Sequence, residues 1–175
     1  MIHILTPYRT DKDLGKAYND ACSLVPDGDW ICLMDIDCMF LTPDAPEIMQ
    51  KYVEMYPETG CFTAYTNRIS PLSFEQLWNK RVSEDGEIRH HIELAMNLRA
   101  NFPSVTPVLR GEISGYLLLF SKETWENNKF DEGIGCLAVD TFWSRRVQDI
   151  KRMDAVYVWH TYRIWKEMND KTHLK

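Results

Sequence analysis

An α/β fold with a mostly parallel central sheet, helices on its faces and one domain over residues 1–175 is what this chain predicts, on three observations. Apolar runs of strand length alternate with segments whose apolar residues recur at helical spacing. At 175 residues, 45% of them hydrophobic, the chain is long enough to bury one sizeable core. No internal repeat, low-complexity run or Pro/Gly-rich linker divides it.

Taken in order, residues 2–6 read as a first strand and 13–24 as a helix with Leu14, Ala17, Ala21 and Leu24 on one face. Residues 30–34 form a second strand. Asp44, with Pro46 in the first turn and Glu47 three residues on, has the makings of a cap for a helix through about Met55. Residues 60–66 are a third strand, and Ser73 with Gln76 opens a short helix. Residues 87–100 carry Ile88, Ile92, Leu94 and Met96 in an amphipathic pattern, with the adjacent His90 and His91 on the helix surface. "SGYLLLF", residues 114–120, is another strand, and Ser121 caps a short helix. Residues 139–150 form the next helix and 155–159 a late strand. In sheets of this kind ligands bind beyond the carboxyl ends of the strands.

Composition excludes several classes. The longest apolar run is only a strand's length, so a membrane-spanning helix is not expected, and "MIHILTPYR" lacks the basic and long apolar regions of a signal peptide. The expected location is cytoplasmic. Cys22, Cys32, Cys38, Cys61 and Cys136 are odd in number, scattered and without a C-x-x-C pair, which argues for packing rather than a disulfide framework or a zinc site. A formal net charge of -6 disfavours nucleic acid as the main partner, so an anionic small substrate needs a metal or local cations.

The chemistry is concentrated in "DGDWICLMDIDCMFL", where an apolar strand ends in Asp35 and Asp37 with only Ile36 between them. Extended residues i and i+2 point the same way, about 6–7 Å apart, so the two carboxylates repel unless a cation lies between them. Mg2+ and Mn2+ suit such a place, because they prefer carboxylate oxygen and water and often take one or two carboxylates plus substrate phosphates. The same tripeptide also suits a plain strand-to-turn junction, where Asp is a common turn former.

The order "ILTPYR", "LGKAYNDA", "WICLMDID", "GEISGYLLLFSKETWENNKFDEGIGCLAVDTFWSRRV" and "VYVWH" resembles a GT-A glycosyltransferase of the family-2 type over nearly the whole chain. The resemblance implies metal-dependent transfer of a sugar, with inversion, from a nucleotide-diphosphate sugar to a hydroxyl acceptor such as a glycan or lipid-linked sugar. Mn2+ or Mg2+ is the implied cofactor. Asp37 then coordinates the metal, Asp35 touches the ribose or a metal-bound water, and His160, after the last core strand, is a third metal ligand. Gly115, Phe130, Asp131 and Glu132 occupy the places of the family's Gly-led strand and Phe-Asp-Glu stretch. Asp140 stands where the family has its catalytic base, although a helix N-cap is an equally good reading of that residue. Thr6, Pro7, Tyr8 and Arg9 line the base and ribose pocket, with the planar fork of Arg9 a phosphate partner, and Asn19 lies near the nucleotide. Tyr18 replaces an Arg often found before that Asn, and the usual second strand with its base-reading acid is absent.

Two other classes share features of this pattern. Haloacid-dehalogenase phosphohydrolases also end an apolar strand in Asp-x-Asp, but on their first strand and with Thr or Val where this chain has Met39. A non-catalytic nucleotide-sugar or glycan binding module keeps the pocket and loses the base.

Overall fold

Seven strands pair into one sheet in the computed structural model of the chain, which describes residues 1–69, 74–79, 85–109 and 112–161. β1 (Ile2–Leu5) runs parallel to β2 (Trp30–Met34). β3 is Cys38–Phe40, β4 is Cys61–Thr66, β5 is Val105–Pro107, β6 is Leu117–Ser121 and β7 is Ile150–His160. β6 lies antiparallel between β2 and β4, and β4 runs parallel to β7. β5 and β3 add antiparallel to the two halves of β7.

The sheet is therefore mixed rather than mostly parallel. A parallel return needs a crossover of a dozen or more residues, usually a helix. Only a tight turn joins β2 to β3, and no helix is seen between β5 and β6 among the described residues.

Alternation along the strands builds two cores. On one face Ile31, Leu33, Leu118 and Phe120 meet α1 (Leu14–Ser23), and on the other Trp30, Cys32, Leu117 and Leu119 meet α2 (Ala45–Met55). Trp143 is fully buried and stacks on Phe130 at 4.9 Å. Truncating such a ring typically costs about 3–5 kcal/mol.

Local packing turns several helices from their expected faces. α1 is capped by Asp13, which accepts from Lys16 N, but it buries Gly15, Ala17, Tyr18, Asn19 and Cys22 and leaves Leu24 exposed. The reason is the segment around Asp131, which crosses α1 so closely that a Cβ on Gly15 would sit 1.9 Å from the Asp131 carbonyl oxygen. Asp44 makes no cap hydrogen bond at α2, because its carboxylate bonds Arg99 instead. α3 (Ile88–Leu98) buries His91, Ala95 and Leu98, whereas Ile88 and Met96 are exposed. His91, expected on the surface, is 1% exposed and sits 2.7 Å from the Tyr157 hydroxyl, because α3 packs on the aromatic side chains of β7.

α4 is Lys122–Asn127, capped by Ser121 as expected. α5 (Val139–Ser144) ends six residues before the expected boundary, and β7 begins at Ile150, long enough to serve β4, β5 and β3 together. Ser73 lies outside the described residues, while Gln76 ends a 3-10 turn (Phe74–Gln76). No helix among the described residues is long and apolar enough to cross a membrane.

Candidate metal centre

The strand directions bring the carboxyl ends of β1, β2, β4 and β7 and the start of β6 to one rim of the sheet. Asp35 to Asp37 leave β2 there, Asn67 and Arg68 leave β4, His160 ends β7, and Gly115 leads into β6. The two aspartates are not on a continuing strand. They flank a turn closed by Cys38 N donating to the Asp35 carbonyl at 3.0 Å, with Ile36 85% exposed at its tip. Both still line one cavity of about 190 Å3, with Pro7, Tyr8, Leu14 and Tyr18.

β3 then pairs with β7 so that Cys38 lies opposite His160, and Thr161 N donates to the Asp37 carbonyl at 2.9 Å. His160 is 5% exposed and closely held. The side chain of Asn67 bonds both its backbone groups, accepting from His160 N at 2.8 Å and donating to His160 O at 3.1 Å. The Tyr116 ring stacks on the imidazole at 5.8 Å. Nδ1 donates to the Arg68 carbonyl at 2.8 Å, which in the neutral ring puts the lone pair on Nε2. Nε2 stands 3.3 Å from Asp37 Oδ1.

That distance fits a metal. Two acceptor atoms facing each other need a proton or a cation between them. Two metal–ligand bonds of about 2.1 Å at roughly right angles leave their ligand atoms about 3 Å apart. Fixing one imidazole nitrogen on a backbone carbonyl is also how proteins orient a metal-binding His. Cys38 adds a third ligand type: one ligand atom from each of Asp37, Cys38 and His160 lies within 4.8 Å of the others.

Charge is crowded here. Burial pushes the Asp35 carboxyl up to about 6; His160 opposes the rise, while Asp37 and Asp140 add to it. The hydrogen bond with the His160 ring holds Asp37 below the usual carboxylate range, against the pull of its partial burial. Burial raises Asp140, opposed by Thr141 N and Gly115 N, which donate to its two oxygens at 2.8 and 2.5 Å. Asp140 sits in the first turn of α5, whose N-cap is Ala138 in the left-handed conformation, so its carboxylate reaches across to β6 rather than capping from outside. A Cβ on residue 115 would lie 2.8 Å from Asp140 Cβ, which explains the glycine before β6.

The remaining expected residues divide. Pro7 and Tyr8 line the cavity, and with Leu14 they also line a neighbouring one of about 140 Å3 that includes Arg9 and Lys12. Thr6 is exposed just past β1. The guanidinium of Arg9 is engaged by Asp11 at 2.7 Å and Asp20 at 2.9 Å. Asn19 is buried and spends its whole side chain inside the fold. Its oxygen accepts from Trp125 Nε1 and Phe130 N, and its nitrogen donates to Phe130 O and Glu132 Oε1. Phe130 is core, and Asp131 pairs with Arg146. Sequence reasoning missed Asn67, Arg68 and the ligand role open to Cys38. A polar triplet closing the apolar strand β4 was the one local sign of the first two.

No protein-family model, curated protein or solved structure matches the chain.

Proposed function

We propose that the chain is a metal-dependent glycosyltransferase of the GT-A type, moving a sugar from a nucleotide-diphosphate sugar to a hydroxyl acceptor with inversion. The observation that carries this reading is the Asp37–His160 pair, a carboxylate oxygen and an imidazole nitrogen 3.3 Å apart at the strand-end rim where Asp35 and Asp140 also converge. Asp37 and His160 hold the cation, and Asp35 meets the ribose or a cation-bound water. Mn2+ or Mg2+ bound there supplies Lewis-acid stabilisation of the charge building on the leaving pyrophosphate. Tyr8, 76% exposed beside the cavity, offers an aromatic face to the nucleotide base. Lys12 borders the neighbouring cavity as a positive charge for phosphate oxygens, whereas Arg9 beside it is neutralised by Asp11 and Asp20.

Asp140 takes the proton from the attacking hydroxyl. Its two backbone hydrogen bonds aim the carboxylate and leave each oxygen a second lone pair, and burial makes it a stronger base than an exposed carboxylate. The test is thermal stability against a panel of nucleotide sugars with and without Mn2+. A donor at a hundredfold over its dissociation constant adds about 2.7 kcal/mol, roughly 5–10 °C for a chain of this size. A flat response across the panel with Mn2+ present contradicts the reading.

A further inference from the structure

We infer that the same centre accepts thiophilic cations, Zn2+ or Cd2+, in a second mode that recruits Cys38 beside Asp37 and His160 and blocks glycosyl transfer. The inference rests on the reading of Asp37 and His160 as cation ligands and adds the class of ion that competes there. Its basis is the β3–β7 register, which sets Cys38 directly opposite His160 on one face, with a ligand atom of each of the three residues within 4.8 Å of the others. No other group of three such side chains comes together among the described residues, although Cys22, Cys32 and Cys61 are buried as well.

Ion chemistry separates the two modes. Mg2+ and Mn2+ have little use for sulfur and bind through oxygen, imidazole and water. Zn2+ and Cd2+ take the thiolate, with the thiol proton passing to solvent, and Zn2+ binds nitrogen and sulfur donors far more tightly than Mn2+ does. Geometry then decides function. An octahedral ion on Asp37 and His160 keeps several positions for phosphate oxygens and water, whereas a tetrahedral ion on three side chains keeps one. A diphosphate cannot be chelated through one position, so the thiophilic ion occupies the centre without assembling the donor site.

The test uses protein carrying Cys136→Ser, which removes the one exposed cysteine among the described residues. Cd2+ titration, followed by the ultraviolet charge-transfer absorption of cadmium thiolate, is expected to show one site per chain. Adding Cys38→Ser should remove that absorption and weaken Cd2+ by about 100-fold or more, while Mn2+ affinity moves less than about threefold. X-ray absorption of zinc-loaded Cys136→Ser protein, which needs no change at Cys38, should show one sulfur at about 2.3 Å among nitrogen and oxygen neighbours. A zinc shell of nitrogen and oxygen alone, or cadmium absorption indifferent to Cys38→Ser, overturns the proposal. Failure of the glycosyltransferase reading looks different: Cys38-dependent cadmium absorption persists, supporting this inference, while no nucleotide sugar binds with Mn2+.

Discussion

At the rim opposite the candidate centre, where β4 and β7 begin and β6 ends, a cleft of about 490 Å3 is lined by Gly60, Ser121, Arg146 and Asp149. It is larger than the 190 Å3 cavity beside Asp35 and Asp37, yet its ionic groups are either paired, as Arg146 and Asp149 are, or exposed to water, as Glu58 and Glu123 are. Arg146 bonds Asp131 at 2.7 Å and the Lys129 carbonyl, and Asp149 bonds Lys151 at 2.5 Å. At the strand-end rim Asp35 and Asp37 lie beside one imidazole and Asp140 acts on Asp35, which burial and the neighbouring carboxylates push up to about 6. Cavity size therefore does not mark the site. Buried carboxylate charge does, because a fold tolerates it where a ligand or a reaction makes use of it.

One substitution at each rim separates the two regions. Asp37→Ala should lower Mn2+-dependent nucleotide-sugar affinity by about 100-fold or more, while Arg146→Ala in the larger cleft leaves it within about threefold. Calorimetric titration reads both, and a larger loss from Arg146→Ala would move the site to the other rim.

Asp140→Asn separates proton transfer from binding. Single-turnover transfer should fall by about 100-fold or more with donor affinity unchanged, the usual scale for a lost general base. The variant should also lose about 1–2 kcal/mol of stability, because its amide nitrogen must face one of the two N–H groups that the carboxylate now accepts. Full transfer activity would reduce Asp140 to a brace between α5 and β6.

Asp35 sets the strand-end rim apart through pH. Its folded-state value of about 6 lies above the roughly 3.9 of an unfolded aspartate, so the fold favours the protonated form. The cost is absent below about pH 4, grows as pH rises through about 6, and is constant above. In metal-free protein Asp35→Asn should therefore gain up to ~3 kcal/mol at about pH 7.5 and nothing at about pH 4. Urea unfolding at the two pH values checks this, and an equal change at both would mean that Asp35 carries no such charge penalty. The smallest effect belongs to the other rim, where Arg146→Ala should shift stability by less than about 1 kcal/mol, since its partner Asp131 is a partly exposed surface charge.

Much of the strand-end rim was legible because it is built from local patterns. Apolar runs of strand length located β1, β2, β4 and β6, the two aspartates marked the end of β2, and His160 followed directly from the last strand. Pairing was not legible. β3 and β5 are three residues each and hold together only against β7, so nothing local announces them. For the same reason Cys38 read as packing alone, since its apposition to His160 is a matter of register between segments far apart in the chain. The buried faces of α1 and α3 departed from their apolar periodicity where Gly15, Asn19 and His91 meet specific neighbours. Polar groups that close hydrogen bonds inside a core carry no hydrophobic signal.

Asp37 and His160, brought together by β3 and β7, are proposed to hold one divalent cation through which a nucleotide diphosphate is bound. The most direct test of that role is Mn2+ titration by electron paramagnetic resonance in the wild-type chain and in His160→Ala, each with and without a nucleoside diphosphate. The expected result is one Mn2+ per wild-type chain, tightened by the nucleotide, with affinity about 10–100-fold weaker in His160→Ala. Equal Mn2+ affinity in the two proteins, with nucleotide binding indifferent to the ion, would contradict it.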